Sequence, residues 1–287
     1  RIGSVVRKRT MLRNALRTVL PRYGLTNLSR QLSTALDPEN FIPLKLTQRT
    51  SLSSNTVSLR FSFDDLASTS GLNVASMVLA RADIAGEQVM RPYTPTSTSG
   101  VQGHLDLVVK VYDKGLMGNH LKNLDIGKTL DFKGPVMKMQ YRANKWEHIG
   151  LLAGGTGLTP MLQVAQEALL DPNDRCRFSM VYANATEDDI LLRERLDALS
   201  AAHPDRFEVH YVLDHPPEGW TGSSGYVTPE ILQGRIPEPS PSSLVLVCGP
   251  PPMMKSLCGE KVSAKDQGAL TGHLKQLGFE PEMVFKF

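Results

Sequence analysis

Hydrophobic and polar residues alternate along two stretches in the first half of the chain. Residues 57–63 have a period of two, and residues 104–112 keep the same period until a pair of valines near their end. A period of two is typical of β-strands with one buried face. Gly, Pro, Ser and Asn residues separate such runs. The pattern therefore predicts a small antiparallel β-barrel over residues 41–135, with one short helix at residues 116–124.

The second half of the chain has a different pattern, in which apolar runs alternate with helical periods. The predicted strands are residues 149–153, 178–182, 207–213 and 244–247, and the predicted helices are residues 160–170 and 189–199. This alternation predicts an α/β domain with a doubly wound, Rossmann-like parallel sheet. We therefore predict two domains after a leader at residues 1–36: a barrel at residues 37–143 and an α/β domain at residues 144–287.

The leader differs in charge from the rest of the chain. It contains eight of the 32 basic side chains and no acidic residue, so the net charge of +3 divides into a basic leader and a body of −5. Three leucines would share one face of a short helix: Leu12, Leu16 and Leu20. Such a basic, amphipathic, acid-free segment is typical of an organelle transit peptide. Residues 30–33 look like a matrix-protease cleavage site, and we expect the leader to be disordered or removed; a solvated basic tail or a stretch added for expression is the alternative.

Composition excludes several classes of protein. With 41% hydrophobic and 21% charged residues, the chain is neither disordered, collagen-like nor a coiled coil. The acidic body gives no reason to expect nucleic-acid binding, and no apolar run reaches the ~20 residues that cross a membrane. Cys176, Cys248 and Cys258 form no CxxC pair and the histidines form no HxxxH motif, so we expect no metal. We expect a monomer.

Two motifs in the second half have residue types suited to a phosphorylated ligand. Residues 152–160 lead from a predicted strand through a Gly-Gly-Thr-Gly turn into a helix, where glycines let backbone N–H groups approach a phosphate. Residues 247–253 lead from another strand through Cys248 into a Gly-Pro-Pro turn, at the sheet edge where ligands bind. Each motif is weak alone, because a glycine turn can be structural and a lone cysteine is more often part of a core.

A third motif, at residues 91–97, lies in the predicted barrel. Two prolines restrict the backbone around Tyr93, next to Arg91. An arginine can bind a phosphate through two hydrogen bonds, and an aromatic side chain can stack on a flat ring. An ordinary loop at the edge of the barrel is the alternative.

The order and spacing of the three motifs resemble the ferredoxin–NADP reductase superfamily and, most closely, the NADH–cytochrome b5 reductases. The tail at residues 260–268, 277–279 and 284–287 looks like the mitochondrial branch of that family. The resemblance covers residues 41–287. It implies an FAD-dependent NADH–cytochrome b5 reductase, with an FAD-binding barrel followed by an NAD-binding domain.

The resemblance implies a set of FAD-binding residues. Arg91 would hold the FAD pyrophosphate, Tyr93 would stack on the flavin, and Thr94 would lie beside its reactive N5 edge. The other implied FAD residues are Pro92, Val108, Lys110, Tyr112, Met117, Gly118 and, from the second domain, Thr159. Gly118 stands where the family has a hydroxyl residue, so we expect the loss of one hydrogen bond, worth ~1 kcal/mol.

The resemblance also implies an NADH site in the second domain. Cys248 would lie beside the nicotinamide, and with Thr94 it is the implied catalytic pair. The other implied NADH residues are Gly155, Thr156, Gly157, Gly249, Pro250, Met253 and Phe287.

The choice between NADH and NADPH rests on Asp214, which follows the predicted strand at residues 207–213 and by family position faces the adenosine ribose. A carboxylate accepts a bond from a 2′-hydroxyl and repels a 2′-phosphate, by roughly 3 kcal/mol per unit charge at about 5 Å and an effective dielectric constant near 20. The acidic stretch at residues 186–189 supports the same preference. We therefore expect NADH over NADPH; the alternative is that Asp214 only ends a strand.

The implied reaction transfers a hydride from NADH to N5 of FAD, and then single electrons to cytochrome b5 or a similar haem protein. Six lysines of the barrel domain could attract an acidic partner, although a solvated basic face is the alternative: Lys110, Lys114, Lys122, Lys128, Lys133 and Lys138. A different acceptor, such as a quinone or semidehydroascorbate, and a flavin-binding module without turnover remain open. The leader and the branch together predict a mitochondrial location.

Overall fold

The computed structural model describes residues 33–287, and the predicted leader helix at residues 11–20 lies outside that range. The first part of the described chain has six antiparallel strands: β1 (Ile42–Ser53), β2 (Thr56–Ser62), β3 (Ser76–Ile84), β4 (Glu87–Tyr93), β5 (His104–Lys110) and β6 (Thr129–Met137). Their order in the sheet is β4-β3-β6-β1-β2-β5. Just beyond β4, the N–H of Thr96 donates to the carbonyl of Asp106 on β5 at 2.8 Å, which links the two outer strands. The antiparallel barrel is therefore confirmed.

The alternation that predicts β2 and β5 corresponds to buried faces. Phe61 of β2 is fully buried, and its ring packs edge-on against Phe132 of β6, with 4.8 Å between ring centres. Leu105 and Leu107 of β5 belong to the same core. Val108 instead belongs to the apolar core of the second domain. β5 thus has an apolar contact on each of its faces, which explains the break in its alternation.

A single helix, α1 (Leu116–Asn123), packs against β3 and β4. Its buried side chains are Met117 and Leu121. The guanidinium of Arg49 on β1 donates to the carbonyls of Lys122 and Leu124, at 2.6 and 3.0 Å. These bonds satisfy carbonyls that have no partner within the helix. The helix ends one residue before its predicted end.

The second part of the described chain forms a parallel sheet. Its strands are β7 (His148–Gly154), β8 (Arg177–Asn184), β9 (Phe207–Leu213), β10 (Ser223–Ser224), β11 (Ser243–Cys248) and β12 (Val284–Lys286). Their order is β10-β9-β8-β7-β11-β12, and every neighbouring pair is parallel. The doubly wound α/β domain is therefore confirmed, with the short strands β10 and β12 added to the four that the sequence predicts.

Helices cover both faces of this sheet. They are α2 (Leu158–Leu170), α3 (Arg193–Ala202), α4 (Pro229–Leu232), α5 (Pro251–Leu257) and α6 (Gly272–Gln276). One apolar cluster packs α2 and α3 on one face, and another packs α4, α5 and α6 on the other. No helix within residues 33–287 is long and apolar enough to span a membrane.

Two helices begin at other residues than predicted. α2 begins at Leu158, which places Pro160 third in its first turn, where a missing N–H costs no helical bond. The helix predicted at residues 189–199 is α3, which begins at Arg193 and ends at Ala202. Glu187–Asp189 instead forms a separate 3₁₀ turn, closed by a capping box between Thr186 and Asp189. A left-handed residue, Leu192 (φ 55°), separates that turn from α3.

The end of the predicted leader belongs to the barrel. Thr34 pairs with Thr69 in an isolated bridge, and the N–H of Ala35 donates to the Thr69 carbonyl at 2.8 Å. Leu36 is 5% exposed and lies in the barrel core. The predicted leader boundary after residue 36 is therefore too late, because an apolar side chain and backbone bonds fix these residues against the barrel.

The two domains meet along α2. The side-chain oxygen of Gln163 accepts the N–H of Ser76 at 3.0 Å, and Gln163 is 2% exposed. The amide nitrogen of Gln166 donates to the carbonyl of Thr96 at 3.3 Å. Glu167 accepts the N–H and the hydroxyl of Ser99, the latter at 2.8 Å. These three positions share one face of α2, so a polar stripe on an otherwise buried helix joins it to the barrel.

Candidate functional site

Strand order places an opening at the carboxyl edge of the parallel sheet. β8 and β9 lie on one side of β7, and β11 and β12 lie on the other. The chain therefore reverses direction across the sheet between β7 and β11, and ligands of doubly wound folds bind at that point. The turn after β7 contains Gly155, Thr156 and Gly157, and the turn after β11 contains Gly249 and Pro250. The structure brings these predicted NADH residues together.

The two turns touch so closely that only glycine fits. A Cβ atom at Gly157 would overlap the carbonyl of Cys248. One at Gly154 would lie 2.5 Å from the sulfur of Met253, and one at Gly249 would lie 2.7 Å from the same sulfur. The glycines of this motif therefore permit contact between backbones that are far apart in sequence.

The helix that follows the glycine turn has backbone donors at its start. Thr156 and Gly157 precede the first helical bonds of α2, so their N–H groups have no partner within the helix. Gly155 has φ of +52°, and nothing lies within 4 Å of the position where its Cβ would be. The hydroxyl of Thr159 donates to the Thr156 carbonyl at 3.3 Å. A helix N-terminus with open space beside it can accept a phosphate.

Cys248 ends β11 at this edge. Burial raises the pKa of its thiol to about 11, partly offset by the nearby charge of Lys261. The side chain is therefore a neutral thiol near pH 7, suited to packing beside a ring rather than to attack as a thiolate. Phe287 lies at the same level, because its N–H donates to the Val247 carbonyl at 3.0 Å. Its ring packs edge-on against Phe285, with 5.0 Å between centres.

Asp214 lies at the same edge of the sheet, after β9, which is two strands from β7. Its N–H donates to the carbonyl of Asn184 at the end of β8, at 3.0 Å. Burial raises the pKa of its carboxyl group. The side chain is thus at the carboxyl edge of the sheet, as the sequence predicts.

The acidic stretch at residues 186–189 is largely paired. Glu187 forms an ion pair with Arg193. Asp189 accepts from Thr186 and pairs with Lys110 of β5, with 3.4 Å between Nζ and Oδ1. These partners neutralise the carboxylates of Glu187 and Asp189, which are two of the three acidic side chains in the stretch. An electrostatic preference for NADH therefore rests mainly on Asp214.

The barrel motif lies along β4 and just beyond it. Arg91 and Tyr93 are two residues apart and so point to the same face of the strand. The Arg91 guanidinium is exposed and donates one bond to the Met90 carbonyl at 2.7 Å, and its other donors have no partner within residues 33–287. Burial raises the pKa of Tyr93 to about 12. Pro92 is exposed, and Thr94 is half-buried.

The first turn of α1 lies beside the end of β5 and offers a cradle for an anion. A Cβ at Gly118 would lie 3.4 Å from the Lys110 carbonyl, within ordinary contact distance. Leu116, Met117 and Gly118 precede the first backbone bond within the helix, which Asn119 donates to Gly115. Free N–H groups here and the guanidinium of β4 form a donor set that suits the FAD pyrophosphate. The residues present therefore fit FAD.

β5 connects the two halves of the site. It lies beside the glycine turn Gly155–Gly157, and Val108 packs in the core of the second domain. Lys110 at its end forms the ion pair with Asp189 across the domain boundary. Tyr112, just beyond the strand, is 60% exposed.

The six lysines predicted as a docking patch do not form one uniform group. Lys110 is held by Asp189, and Lys133 donates to the Glu39 carbonyl at 3.2 Å. Lys114 and Lys128 line the same cleft beside α1, which encloses about 470 Å³. Lys122 is exposed and Lys138 is half-buried.

Sequence reasoning missed several residues that shape the site. The α2 stripe is one example, and polar residues at spacings of three and four in an apolar helix are the signal that points to it. Tyr182 of β8 is another, since its buried hydroxyl bonds the Gly155 carbonyl at 3.1 Å. Nothing in the apolar run of β8 distinguishes this tyrosine from an ordinary core residue.

A barrel with an anion cradle, joined at β5 to a sheet with a dinucleotide edge, defines an FAD- and NAD-dependent oxidoreductase. Residues 43–141 match the model of the oxidoreductase FAD-binding domain, and residues 151–259 match that of the oxidoreductase NAD-binding domain. The chain is 48% identical over 252 residues to NADH-cytochrome b5 reductase 2 of Neosartorya fischeri, covering 87% of this chain and 78% of that protein. Identity to the Aspergillus fumigatus protein of the same name is also 48%, with the same coverage. The chain belongs to the NADH–cytochrome b5 reductase family.

Solved structures share the fold. The cytochrome b5 reductase domain of Ulva prolifera nitrate reductase superposes with a TM-score of 0.79 at 33% identity, over 89% of this chain and all of that domain. The CS-b5R domains of human Ncb5or superpose with a TM-score of 0.69 at 24% identity, over 86% of this chain and 69% of theirs. The latter likeness concerns the fold alone.

Restoring a hydroxyl at position 118 should tighten FAD binding. Gly118→Ser adds a side chain that the structure accommodates, and one further hydrogen bond to a phosphate is worth ~1 kcal/mol, or about fivefold in the dissociation constant. The measurement is titration of apoprotein with FAD. Gly118→Ala is the matched control, since it adds the same Cβ and helix propensity without the hydroxyl. Equal affinities for the two variants would show that the hydroxyl makes no bond to FAD.

Proposed function

We propose that this chain is an NADH–cytochrome b5 reductase in the enzymatic sense: it oxidises NADH and passes single electrons to cytochrome b5 or a similar haem protein. The observation that supports this most directly is the position of β5 beside the glycine turn Gly155–Gly157, with Val108 packed in the core of the second domain. It brings the strand that borders the FAD cradle to the dinucleotide edge of the sheet. Relatives at 48% identity are named for this activity.

The chain's own residues bind and orient the two reactants. FAD, when bound, supplies the acceptor for the hydride and the capacity to release electrons one at a time. The N-terminal turn of α1 and Arg91 would hold its pyrophosphate, and Tyr93 would lie against its ring. Thr94 would approach N5 from the barrel, and Thr159 from α2.

At the sheet edge, the glycine turn and the start of α2 would take the NADH pyrophosphate. Cys248 and Phe287 would pack beside the nicotinamide, because they lie at the same level at the end of β11. Rigid placement of two reactants in one geometry removes much of the entropic barrier to their reaction. The residues here supply that placement, and no side-chain proton transfer is needed for the hydride step.

Electron release needs an acceptor at the barrel. Lys114 and Lys128 border the cleft beside α1, and Lys122 is exposed on the same helix. Their charge favours an acidic acceptor such as cytochrome b5, even though residues 37–287 have a net charge of −5. A quinone or semidehydroascorbate as acceptor, and a flavin module without turnover, are alternatives that the following experiment separates.

Anaerobic mixing with NADH should bleach the flavin of the purified protein, and ferric cytochrome b5 should then restore its colour. If docking is electrostatic, the reoxidation rate should fall at least about threefold as ionic strength rises from about 0.01 to 0.5 M. Stopped-flow absorbance measures both steps. A flavin that NADH does not bleach would identify a module without turnover. A flavin that NADH bleaches but that a quinone reoxidises far faster than cytochrome b5 would contradict the proposed acceptor.

Asp214→Thr should increase the use of NADPH. Removal of the carboxylate removes a repulsion of roughly 3 kcal/mol per unit charge, so the ratio of kcat/KM for NADPH to that for NADH should rise by about ten- to a hundredfold. Steady-state rates at pH 8, where the carboxyl group is ionised, provide the measurement. Glu218→Thr, in the exposed loop after β9, is the control and should leave the ratio unchanged. An unchanged ratio in Asp214→Thr would mean that Asp214 only ends its strand.

We also propose that residues 1–32 direct the protein to mitochondria. The segment contains eight basic and no acidic side chains, and it precedes Thr34, which pairs with Thr69 of the barrel. Its fusion to a fluorescent protein should accumulate in mitochondria, and the same fusion with Arg13→Glu and Arg17→Glu should not. A diffuse signal from the unaltered fusion would contradict the targeting role.

A further inference from the structure

A buried tyrosine hydroxyl joins two turns at the dinucleotide edge. Tyr182 of β8 is fully buried, and its hydroxyl donates to the carbonyl of Gly155 at 3.1 Å. The same oxygen accepts the N–H of Leu191 at 3.3 Å. Gly155 begins the glycine turn after β7. Leu191 belongs to the turn after β8 at residues 186–192, called here the acidic turn.

The bond to Gly155 orients the peptide group that faces the ligand. In a trans peptide the C=O and the next N–H point in opposite directions. Because Tyr182 holds the Gly155 carbonyl toward the sheet, the N–H of Thr156 points away from it, toward the open side of the turn. Gly155 has a left-handed backbone (φ +52°) and no neighbour within 4 Å of where its Cβ would be, so side-chain packing does not hold it. Among residues 33–287, the one other bond to this carbonyl comes from the N–H of Leu158.

The bond to Leu191 extends the connection to the barrel. Asp189 of the acidic turn pairs with Lys110 at the end of β5. Lys110 is the last residue of the strand that lies beside the glycine turn and borders the FAD cradle. Tyr182 therefore completes a series of polar contacts from β5, through the acidic turn, to the glycine turn.

In the described part of the chain, no other side chain bonds both turns. The amide of Asn184, two residues along β8, lies within hydrogen-bonding reach of the Tyr182 hydroxyl, but among residues 33–287 it bonds neither the Gly155 carbonyl nor the Leu191 N–H. Burial raises the pKa of Tyr182, so the hydroxyl keeps its proton and remains a donor at physiological pH. A phenylalanine would retain the ring packing and lose both bonds.

We propose that Tyr182 is a positioning residue for the nicotinamide dinucleotide, because its hydroxyl fixes the glycine turn against the acidic turn and so preforms the phosphate-binding backbone. This inference rests on the proposed function. It assigns to β8 a role in the affinity for the dinucleotide that is independent of FAD binding.

Tyr182→Phe should weaken binding of NAD⁺ to the oxidised, FAD-loaded protein by about five- to tenfold, the effect of one or two hydrogen bonds. FAD affinity should stay within about twofold of wild type. Perturbation of the flavin spectrum during titration with NAD⁺ measures the affinity for NAD⁺, and titration of apoprotein with FAD measures the affinity for FAD. When NADH reduces the flavin of Tyr182→Phe, the apparent dissociation constant for NADH should rise by a larger factor than the limiting rate of flavin reduction falls, both relative to wild type.

Tyr211→Phe is the matched control. Tyr211 is the partner of Tyr182 in register on β9, with 6.3 Å between ring centres, but its hydroxyl donates to Asp197 on α3 at 2.7 Å. The Tyr211→Phe variant should therefore have a changed melting temperature and an unchanged affinity for NAD⁺. If Tyr182→Phe lowers the melting temperature but leaves NAD⁺ affinity unchanged, the role of Tyr182 is structural only and the proposal is wrong.

Asp189→Asn tests the series from its other end and does not alter Tyr182. It keeps an oxygen that can accept from Thr186 and removes the ion pair with Lys110. Its effect on NAD⁺ affinity should be smaller than that of Tyr182→Phe and less than additive with it. Strict additivity would contradict the connection. If the wild-type protein binds NAD⁺ and its flavin is bleached by NADH, and Tyr182→Phe does both equally well, this inference alone is overturned. If the wild-type protein does neither, the proposed function is overturned as well.

Discussion

The hydrogen bonds between α2 and the barrel backbone are the interaction on which the site depends. Gln163, Gln166 and Glu167 bond barrel groups at Ser76, Thr96 and Ser99. Because these polar groups are largely buried, a shift of one domain against the other would leave several of them unpaired, at roughly 1–3 kcal/mol each. The domains are thus held in one arrangement. Hydride transfer between cofactors bound to different domains requires such an arrangement, since misplacement by about 1 Å can cost a hundredfold in rate.

A second constraint acts within the sheet. The glycine turn and the Cys248 turn are in backbone contact, and any side chain at Gly157 would separate them. The edge that receives the dinucleotide is therefore formed by the packing of two backbones rather than by particular side chains. The side chains that matter lie around it: Tyr182 beneath the glycine turn, Asp214 at one end, and Cys248 with Phe287 at the other.

Sequence patterns predict the elements more readily than the contacts between them. The period of two in β2 and the alternation of strands and helices after residue 143 reflect burial on one or two faces, and the order of apolar and polar residues records that burial directly. The predicted start of α3 at residue 189 is wrong because the capping box of Thr186 and Asp189 closes a separate turn, and a left-handed Leu192 cannot be recognised from its residue type. Lys110 was predicted to bind FAD, and the structure adds a partner, Asp189, that is distant in sequence. The role of Tyr182 depends on two carbonyl and amide groups whose positions only the folded chain defines.

β5 also limits which changes in chain length the protein can accept. One alternating set of its seven residues, which includes Leu107, enters the barrel core, and the other set faces the opposite side, where Val108 enters the core of the second domain. Since side chains in a strand alternate strictly, deletion or insertion of a single residue would exchange the two sets and turn Lys110 away from Asp189. The exposed linker at residues 142–145 has no such alternation to preserve. Insertions and deletions should therefore accumulate in the linkers and loops of related chains, while β5 keeps its length.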